Sequence, residues 1–250
     1  MTILFQGSMT ALITPFRDGK VDEEILRHLV SWQIGNKTDV LVPCGTTGEA
    51  PTLEPEEQEK IIRIVVEEAK KRVPVLAGAG SHCTKKAIHL TELAKQAGAN
   101  GVLQVTPYYN KPTQAGLFQH FRTIAQNTTL PIVLYNVPGR TAVNMTAETT
   151  IRLSKISNIV GIKEASGDLK QVQAIIEGTD EDFSLFSGDD PLNAEIYALG
   201  GKGAISVTSN VAPDRVADVW RFFQQGKKEA GLAAHEKLQI LNKILFLETN

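Results

Sequence analysis

Residues 131–165 read PIVLYNVPGRTAVNMTAETTIRLSKISNIVGIKEA, and this stretch shows the strand–helix–strand pattern from which the fold is predicted. It opens with an apolar, β-branched run, residues 131–136, and closes with a second one, residues 159–165. A helix-like stretch, residues 146–155, lies between them, with Thr146 and then Glu148 at its start. Two apolar strands separated by a helix form a βαβ unit, in which the strands are parallel. The stretch therefore predicts one repeat of an α/β protein.

The same alternation continues along the rest of the chain. Eight short apolar runs are typical of buried strands, and they span residues 11–16, 40–47, 73–80, 101–107, 131–136, 159–165, 183–190 and 203–210. Between or after them lie helix-like stretches over residues 54–72, 85–97, 114–127, 146–155 and 213–225. Eight βα units in about 200 residues match a TIM barrel. We therefore predict an α/β fold, a (β/α)₈ TIM barrel over residues 1–226, with one extra C-terminal helix over residues 227–247.

A doubly wound open sheet is the alternative fold. Such a sheet usually carries a Gly-rich dinucleotide-binding turn after its first strand. Here the first predicted strand ends in Thr14-Pro15-Phe16 instead. No linker rich in Pro, Gly or Ser divides the chain, so the barrel is favoured.

The composition excludes several classes of protein. Of the 250 residues, 42% are hydrophobic and 22% are charged, which excludes wholesale disorder. The net charge of −2 gives no electrostatic basis for binding nucleic acid or an anionic membrane. No run of 18 mainly apolar residues could span a bilayer. Two isolated cysteines, Cys44 and Cys83, and the lack of a signal-peptide pattern predict a cytoplasmic protein with no metal site.

A lysine on the sixth predicted strand is the first candidate for chemistry. Gly161, Lys163 and Ala165 share one face of that strand, and two small residues around a long one favour the barrel interior. A lysine there is desolvated, which favours the neutral amine that can attack a carbonyl. Alternatively, Lys163 snorkels from the strand end or pairs with Glu164, and the spacing alone leaves both interpretations open.

Two loops at the predicted carboxyl end of the barrel carry further candidates. Tyr135 ends the strand next to that of Lys163, where a phenol could transfer protons. Arg140 follows in a Pro-Gly loop and suits recognition of a carboxylate. Thr46 and Thr47 lie in a Gly-rich loop after the second strand, which could hold a carboxylate or form an ordinary turn. Taken singly, each of these residues is also compatible with a purely structural role.

Six motifs, in this order, resemble the pyruvate-dependent, lysine-dependent class I aldolase family, and within it the dihydrodipicolinate synthases of lysine biosynthesis. The motifs are Ala11-Leu12-Ile13-Thr14-Pro15-Phe16, Gly45-Thr46-Thr47-Gly48-Glu49, Thr106-Pro107-Tyr108-Tyr109-Asn110, Tyr135-Asn136-Val137-Pro138, Gly161-Ile162-Lys163-Glu164-Ala165 and Ser187-Gly188-Asp189-Asp190. The Thr46-Thr47 pair and Arg140-Thr141 favour the synthases over sialic-acid or sugar-acid lyases, which share the imine mechanism. A non-catalytic barrel is the third alternative.

The resemblance implies a reaction and a role for each matching residue. Lys163 would form an imine with pyruvate, and the resulting enamine would attack the aldehyde of L-aspartate 4-semialdehyde. Tyr135, Thr46 and Tyr109 would form a proton relay, with Tyr109 supplied by a neighbouring subunit. The remaining matching residues would bind substrate: Thr47 the pyruvate carboxylate, Arg140 the carboxylate of the second substrate, and Gly188 and Ile205 the pyruvate pocket. No metal or organic cofactor is implied, because the lysine is itself the electron sink.

The resemblance also implies an assembly and a form of regulation. A site completed by a neighbouring Tyr109 predicts a homodimer or homotetramer. Family chains usually continue beyond the residues that match Glu248-Thr249-Asn250, so residues 227–250 resemble the remnant of a C-terminal helical extension. Relatives inhibited by lysine place polar and acidic groups beside the dimer interface. The matching positions here are Pro51, Pro55, Gln58, His82 and Lys86, which predicts weak or absent inhibition by lysine.

Overall fold

Eight parallel strands form the wall of a barrel in the computed structural model, which describes residues 5–248. They are β1 (Gly7–Ala11), β2 (Val40–Val42), β3 (Leu76–Gly78), β4 (Gly101–Val105), β5 (Ile132–Asn136), β6 (Ile159–Glu164), β7 (Ser184–Ser187) and β8 (Gly203–Ser206). The hydrogen-bonded order is β2-β1-β8-β7-β6-β5-β4-β3. A parallel bridge between Leu41 and Val75 joins β2 to β3 and closes the ring. The predicted TIM barrel is confirmed.

Helices follow the strands and cover the outside of the barrel. They are α1 (Glu23–Gly35), α2 (Pro55–Ala69), α3 (Thr84–Gln96), α4 (Gln114–Gln126), α5 (Pro138–Thr141), α6 (Ala147–Leu153), α7 (Leu169–Gly178), α8 (Asn193–Ala198), α9 (Pro213–Gln224), α10 (Lys228–Glu236) and α11 (Gln239–Ile244). Three 3₁₀ turns, Ala50–Thr52, Asp190–Leu192 and Thr208–Asn210, lie in the loops. None of the helices within residues 5–248 is long and apolar enough to cross a membrane.

The first strand lies earlier in the chain than the sequence predicts. The apolar run at residues 11–16 points to a strand there, but β1 is Gly7–Ala11, and Phe16–Arg17 instead pairs with Lys20–Val21 in a small antiparallel ribbon. The sequence pattern does not reveal this strand because positions 8 and 10 are polar. Within the fold, the backbone of Ser8 and the side chain of Thr10 bond to residues distant in the chain. Ser8 N donates to Asp39 Oδ2 at 2.8 Å, and Thr10 Oγ1 donates to Gln33 Oε1 at 2.9 Å.

The C-terminal segment contains two helices where the sequence predicts one over residues 227–247. The chain turns between α10 and α11, where Leu238 N donates to His235 O at 2.9 Å. The turn lets Asn242 reach the barrel, where its Oδ1 accepts from Thr208 Oγ1 at 2.7 Å and its Nδ2 donates to Asp190 O at 3.2 Å. The segment therefore docks against the loops that follow β7 and β8.

The apolar core has two layers, separated by the barrel wall. Side chains such as Met9, Val133 and Phe186 fill the interior of the barrel. A larger cluster, which includes Leu134 and Ile162, lies between the barrel and the helices. Because side chains alternate along a strand, residues next to one another in sequence face different layers. This alternation places the site described below.

Candidate active site

Lys163 lies in the barrel interior near the carboxyl end of β6. Its side chain is 6% exposed, and its Nζ lies 4.2 Å from the centre of the Tyr135 ring. The two residues are direct partners in the register of β5 and β6. The structure thus brings together an amine and a phenol, as the alternation of side chains along the two strands predicts.

Gly188 leaves the space that the Lys163 side chain occupies. A Cβ atom at Gly188 would lie 2.9 Å from Lys163 Cε and 2.8 Å from Ala165 Cβ. Both distances are too short for carbon atoms in contact, so a larger residue at position 188 would displace the lysine. This contact is a specific reason for glycine after β7.

A cavity of about 330 Å³ opens above Lys163 at the carboxyl ends of the strands. Seven of the eight residues predicted for the site line it: Thr46, Thr47, Tyr135, Arg140, Lys163, Gly188 and Ile205. They come from five separate βα segments, so the barrel alone brings them together. Its position at this end of the barrel is where TIM-barrel enzymes hold their active sites.

The loop that carries Thr46 and Thr47 has a tightly turned backbone. Cys44 and Glu49 adopt left-handed conformations, with φ of 56° and 57°, and Glu49 N donates to Thr46 O at 3.0 Å. Gly78 lets the loop approach β3, because a Cβ there would lie 1.9 Å from Cys44 O. Burial raises the pKa of the Cys44 thiol to about 12, so this cysteine is protonated near neutral pH and is a poor nucleophile.

The sequence model of the dihydrodipicolinate synthetase family matches residues 4–250. The chain belongs to this family. It is 51% identical over 247 residues to the 4-hydroxy-tetrahydrodipicolinate synthase of Maridesulfovibrio salexigens, an alignment that covers 98% of this chain and 85% of the relative.

Solved structures of the dihydrodipicolinate synthetase family share the same fold. The dihydrodipicolinate synthase of Aquifex aeolicus superposes with a TM-score of 0.96 at 46% identity, covering 98% of this chain and 84% of that one. A chloride-inhibited dihydrodipicolinate synthase from Acinetobacter baumannii, complexed with pyruvate, gives a TM-score of 0.96 at 45% identity and covers 100% and 85% of the two chains.

Tyr109 is the one predicted site residue that does not line the cavity above Lys163. Its side chain is 91% exposed, and its backbone has a φ of 68°, which is uncommon for a bulky residue. The neighbouring Asn110 anchors the loop by donating from Nδ2 to His82 O at 3.2 Å. Within one chain, Tyr109 therefore points into solvent at the rim of the barrel.

A second cavity, of about 450 Å³, adjoins the first and shares Thr46, Tyr135 and Arg140 with it. Four of the five positions predicted to govern the lysine response line this cavity: Pro51, Gln58, His82 and Lys86. The fifth, Pro55, begins α2 and is not among the lining residues. Within residues 5–248, the lining of this cavity includes no acidic side chain.

Asp190 is a structural residue of the site to which the sequence analysis assigned no role. It is buried after β7 and accepts from Val207 N at 2.8 Å and Thr208 N at 2.9 Å. These bonds hold the loop after β8, directly beyond Ile205 in the cavity wall.

Asp189, the neighbour of Asp190, also lines the cavity. Burial, together with the charge of Asp190, raises the pKa of Asp189. In the sequence, the signal for the structural role of Asp190 was the acidic pair Asp189-Asp190 at the end of a predicted strand.

Glu164 lies on the helix side of β6, opposite Lys163. Its carboxylate accepts from Ser166 N at 2.8 Å, from Asn136 Nδ2 at 3.1 Å and from Gln171 Nε2 at 3.2 Å. The sequence-based alternative in which Lys163 pairs with Glu164 is therefore not the arrangement in the structure. Burial raises the pKa of Glu164, and the hydrogen bonds that it accepts lower this pKa in part.

Proposed function

We propose that this chain catalyses the 4-hydroxy-tetrahydrodipicolinate synthase reaction, the condensation of pyruvate with L-aspartate 4-semialdehyde through a lysine imine. The observation that carries the proposal is the buried Lys163 beneath a cavity of substrate size, with its Nζ 4.2 Å from the Tyr135 ring centre. Membership of the family and the similarity to 4-hydroxy-tetrahydrodipicolinate synthases support the same chemistry and do not favour a sialic-acid or sugar-acid lyase.

The first half-reaction uses the residues inside the barrel. Lys163 Nζ attacks the keto carbon of pyruvate, and loss of water gives the imine. The imine nitrogen then accepts electrons as a proton leaves the methyl carbon, which forms the enamine. Tyr135 and Thr46, which both face the cavity, are placed to transfer these protons. Thr47 would bind the pyruvate carboxylate, while Gly188 and Ile205 border the pocket for the small substrate.

The second half-reaction needs a group at the mouth of the barrel. The enamine carbon attacks the aldehyde of L-aspartate 4-semialdehyde, and the amine of the adduct then displaces Lys163 as the ring closes. Arg140 lies on the exposed helix α5 and lines both cavities. Its guanidinium suits bidentate binding of the carboxylate of the second substrate. Neither half-reaction requires a metal or an organic cofactor.

We further propose a homodimer or homotetramer in which Tyr109 completes the proton relay of a neighbouring subunit. An aromatic side chain that is 91% exposed on a backbone with positive φ is costly in an isolated chain. Burial against a second copy would offset that cost. An isolated subunit would then have an incomplete site.

The remaining proposals concern the compartment and the domain organisation. Both cysteines are free, and Cys83 is exposed, which suits a reducing compartment such as the cytoplasm. We propose that residues 1–226 form the catalytic barrel and that residues 227–250 belong to a C-terminal helical extension. Residues 1–4 and 249–250 of these ranges lie outside the part that the structure describes.

Borohydride reduction in the presence of pyruvate tests the proposed chemistry. The reagent reduces an imine to a stable amine, so peptide mass analysis should locate the adduct on Lys163. Lys163→Met should abolish the adduct. Lys155→Arg should retain it, because Lys155 is an exposed residue paired with Asp180. An adduct on another lysine would refute the role of Lys163, and the absence of any adduct would favour a non-catalytic barrel.

A second assay separates the synthase from the lyases. Aspartate semialdehyde and sialic acid are offered to the same preparation. We expect consumption of pyruvate with the semialdehyde and no release of pyruvate from sialic acid. The reverse result would assign the chain to the lyases.

A further inference from the structure

The outer faces of β5 and β6 carry a polar pair directly behind the candidate catalytic residues. Asn136 follows Tyr135, and Glu164 follows Lys163. The strand register pairs Asn136 with Glu164, just as it pairs Tyr135 with Lys163. Both Asn136 and Glu164 are almost completely buried, at 0% and 1% exposed. A buried carboxylate in this layer requires compensating donors.

Glu164 has those donors on both of its oxygens. Ser166 N donates to Oε1, Gln171 Nε2 donates to Oε2, and Asn136 Nδ2 lies within 3.2 Å of both oxygens. A carboxylate only accepts hydrogen bonds, and it is therefore matched to three donors. A glutamine at this position would turn an NH₂ group toward at least one of them.

Asn136 lies where a loop begins, and the rest of its amide bonds to residues at the end of that loop. Its Oδ1 accepts from Met145 N at 2.9 Å, and its Nδ2 donates to Asn144 Oδ1 at 2.7 Å. The bond to Glu164 fixes which way this amide points, because the NH₂ group must face the carboxylate. Gln171 closes the arrangement, since it binds both Glu164 and Asn144.

The loop held in this way is the one that carries Arg140. It leaves β5 after Asn136, includes α5 and returns at Asn144 and Met145. Arg140 is exposed at the mouth of the barrel, so its placement depends on the anchoring of this loop rather than on burial of its own side chain. The base of the loop is anchored by Asn136 and, through Asn136, by Glu164.

We propose that Glu164 is a positioning residue that sets the place of Arg140, and with it the affinity for the carboxylate of the second substrate. This inference rests on the proposed function. Lys163 and Tyr135 lie on the inner face of the strands, opposite this network, whereas Arg140 lies on the loop that the network anchors. Loss of Glu164 should therefore affect the second half-reaction more than imine formation.

The test compares the two half-reactions in Glu164→Gln. We expect the KM for L-aspartate 4-semialdehyde to rise about tenfold, because small displacements of a binding group are costly. The pyruvate concentration that gives half-maximal borohydride trapping should change less than about twofold, since the interior is untouched. Glu177→Gln, the same chemical change at an exposed residue of α7, is the matched control and should change neither quantity.

A double-mutant cycle with Arg140→Ala shows whether Glu164 acts through Arg140. If it does, Glu164→Gln should add little to the raised KM of Arg140→Ala, because the two changes remove one interaction. Full additivity would overturn the inference, and so would an equal loss in both half-reactions of Glu164→Gln. Wild-type protein that forms no pyruvate adduct would instead refute the proposed function itself.

A second variant decides the question if Glu164→Gln does not fold. Gln171 is half-buried on α7, and Gln171→Leu removes the amide that donates to Glu164 and Asn144. Ser166 N and Asn136 Nδ2 still donate to the Glu164 carboxylate in this variant. We expect the same selective rise in KM for the semialdehyde, of about threefold, since one of three donors is lost. An unchanged KM in folded Gln171→Leu would overturn the inference.

Discussion

The two faces of the β5–β6 wall are built from alternating residues of the same strands, yet the inner face borders a cavity and the outer face is closely packed. On the inner face, Tyr135 and Lys163 border a cavity of about 330 Å³. On the outer face, Leu134 and Ile162 are completely buried beneath the helices. Reactive groups need space for a substrate, whereas stability comes from close packing. Substitutions of the inner pair, Tyr135 and Lys163, and of the outer apolar pair, Leu134 and Ile162, should therefore separate activity from stability.

Lys163→Met should give the largest effect, and it should fall on activity alone. We expect a loss of at least about a thousandfold in turnover, because Lys163 is the one lysine among the described residues that line the cavity. The free energy of unfolding should stay the same or rise, since an apolar chain of similar length replaces a buried amine. Steady-state kinetics and denaturant unfolding measure the two quantities. A variant that keeps a tenth of the activity would contradict the assignment.

Ile162→Ala should show the opposite behaviour on the outer face. Removing three buried carbons from a 0% exposed side chain should lower the free energy of unfolding by about 2–5 kcal/mol. Turnover measured well below the unfolding temperature should stay near that of the wild type, because Ile162 faces away from the cavity. Denaturant unfolding and low-temperature kinetics check both statements. A large loss of turnover in folded protein would show that the packing of Ile162 supports the site.

His120, which lies on a helix outside the barrel, extends the comparison to the pH dependence of the free energy of unfolding. Burial lowers the pKa of His120 to about 4, and this residue lies on α4 beside Thr84 of α3. Between pH 6.5 and about 4, the unfolded chain binds a proton at this residue and the folded chain does not. The free energy of unfolding should therefore fall by up to about 3 kcal/mol as the pH drops through that window.

The His120→Gln variant isolates this contribution. Its free energy of unfolding should depend less steeply on pH than that of the wild type over the same window, while the two pH dependences run parallel above pH 7. Unfolding in denaturant at a series of pH values gives the comparison. Parallel dependences throughout the acid range would mean that His120 is not kept neutral in the fold.

The barrel could be predicted because its repeat produces a regular hydrophobic periodicity. Some of its elements do not show this periodicity. The periodicity does not reveal strand β1, because Ser8 and Thr10 are polar and Gln33, the partner of the Thr10 hydroxyl, lies more than twenty residues away. Sequence proximity cannot show that such groups are satisfied. The division of the C-terminal segment into two helices likewise depends on Asn242 reaching Thr208, a contact made only in the folded protein.

The candidate site shows the same limit. The proximity of Lys163 and Tyr135 could be predicted because residues at the carboxyl ends of neighbouring strands lie close together in a barrel. The contacts of Glu164 could not be predicted, because they depend on Asn136 and on Gln171, which lies on a separate helix. Residue type and strand position thus predict which groups face the interior, whereas the polar network behind them depends on tertiary contacts.

The smallest expected effect concerns the second cavity, where the two layers meet. Leu103 and Tyr135 belong to the interior cluster and Leu90 to the outer one, and all three line this cavity. We expect L-lysine to inhibit weakly or not at all, because Lys86 would repel its ammonium groups and the described lining offers no carboxylate to bind them. Initial rates with increasing lysine measure this. Lys86→Glu should make the rate lysine-sensitive, and strong inhibition of the wild type at submillimolar lysine would show that the basic lining does not control this cavity.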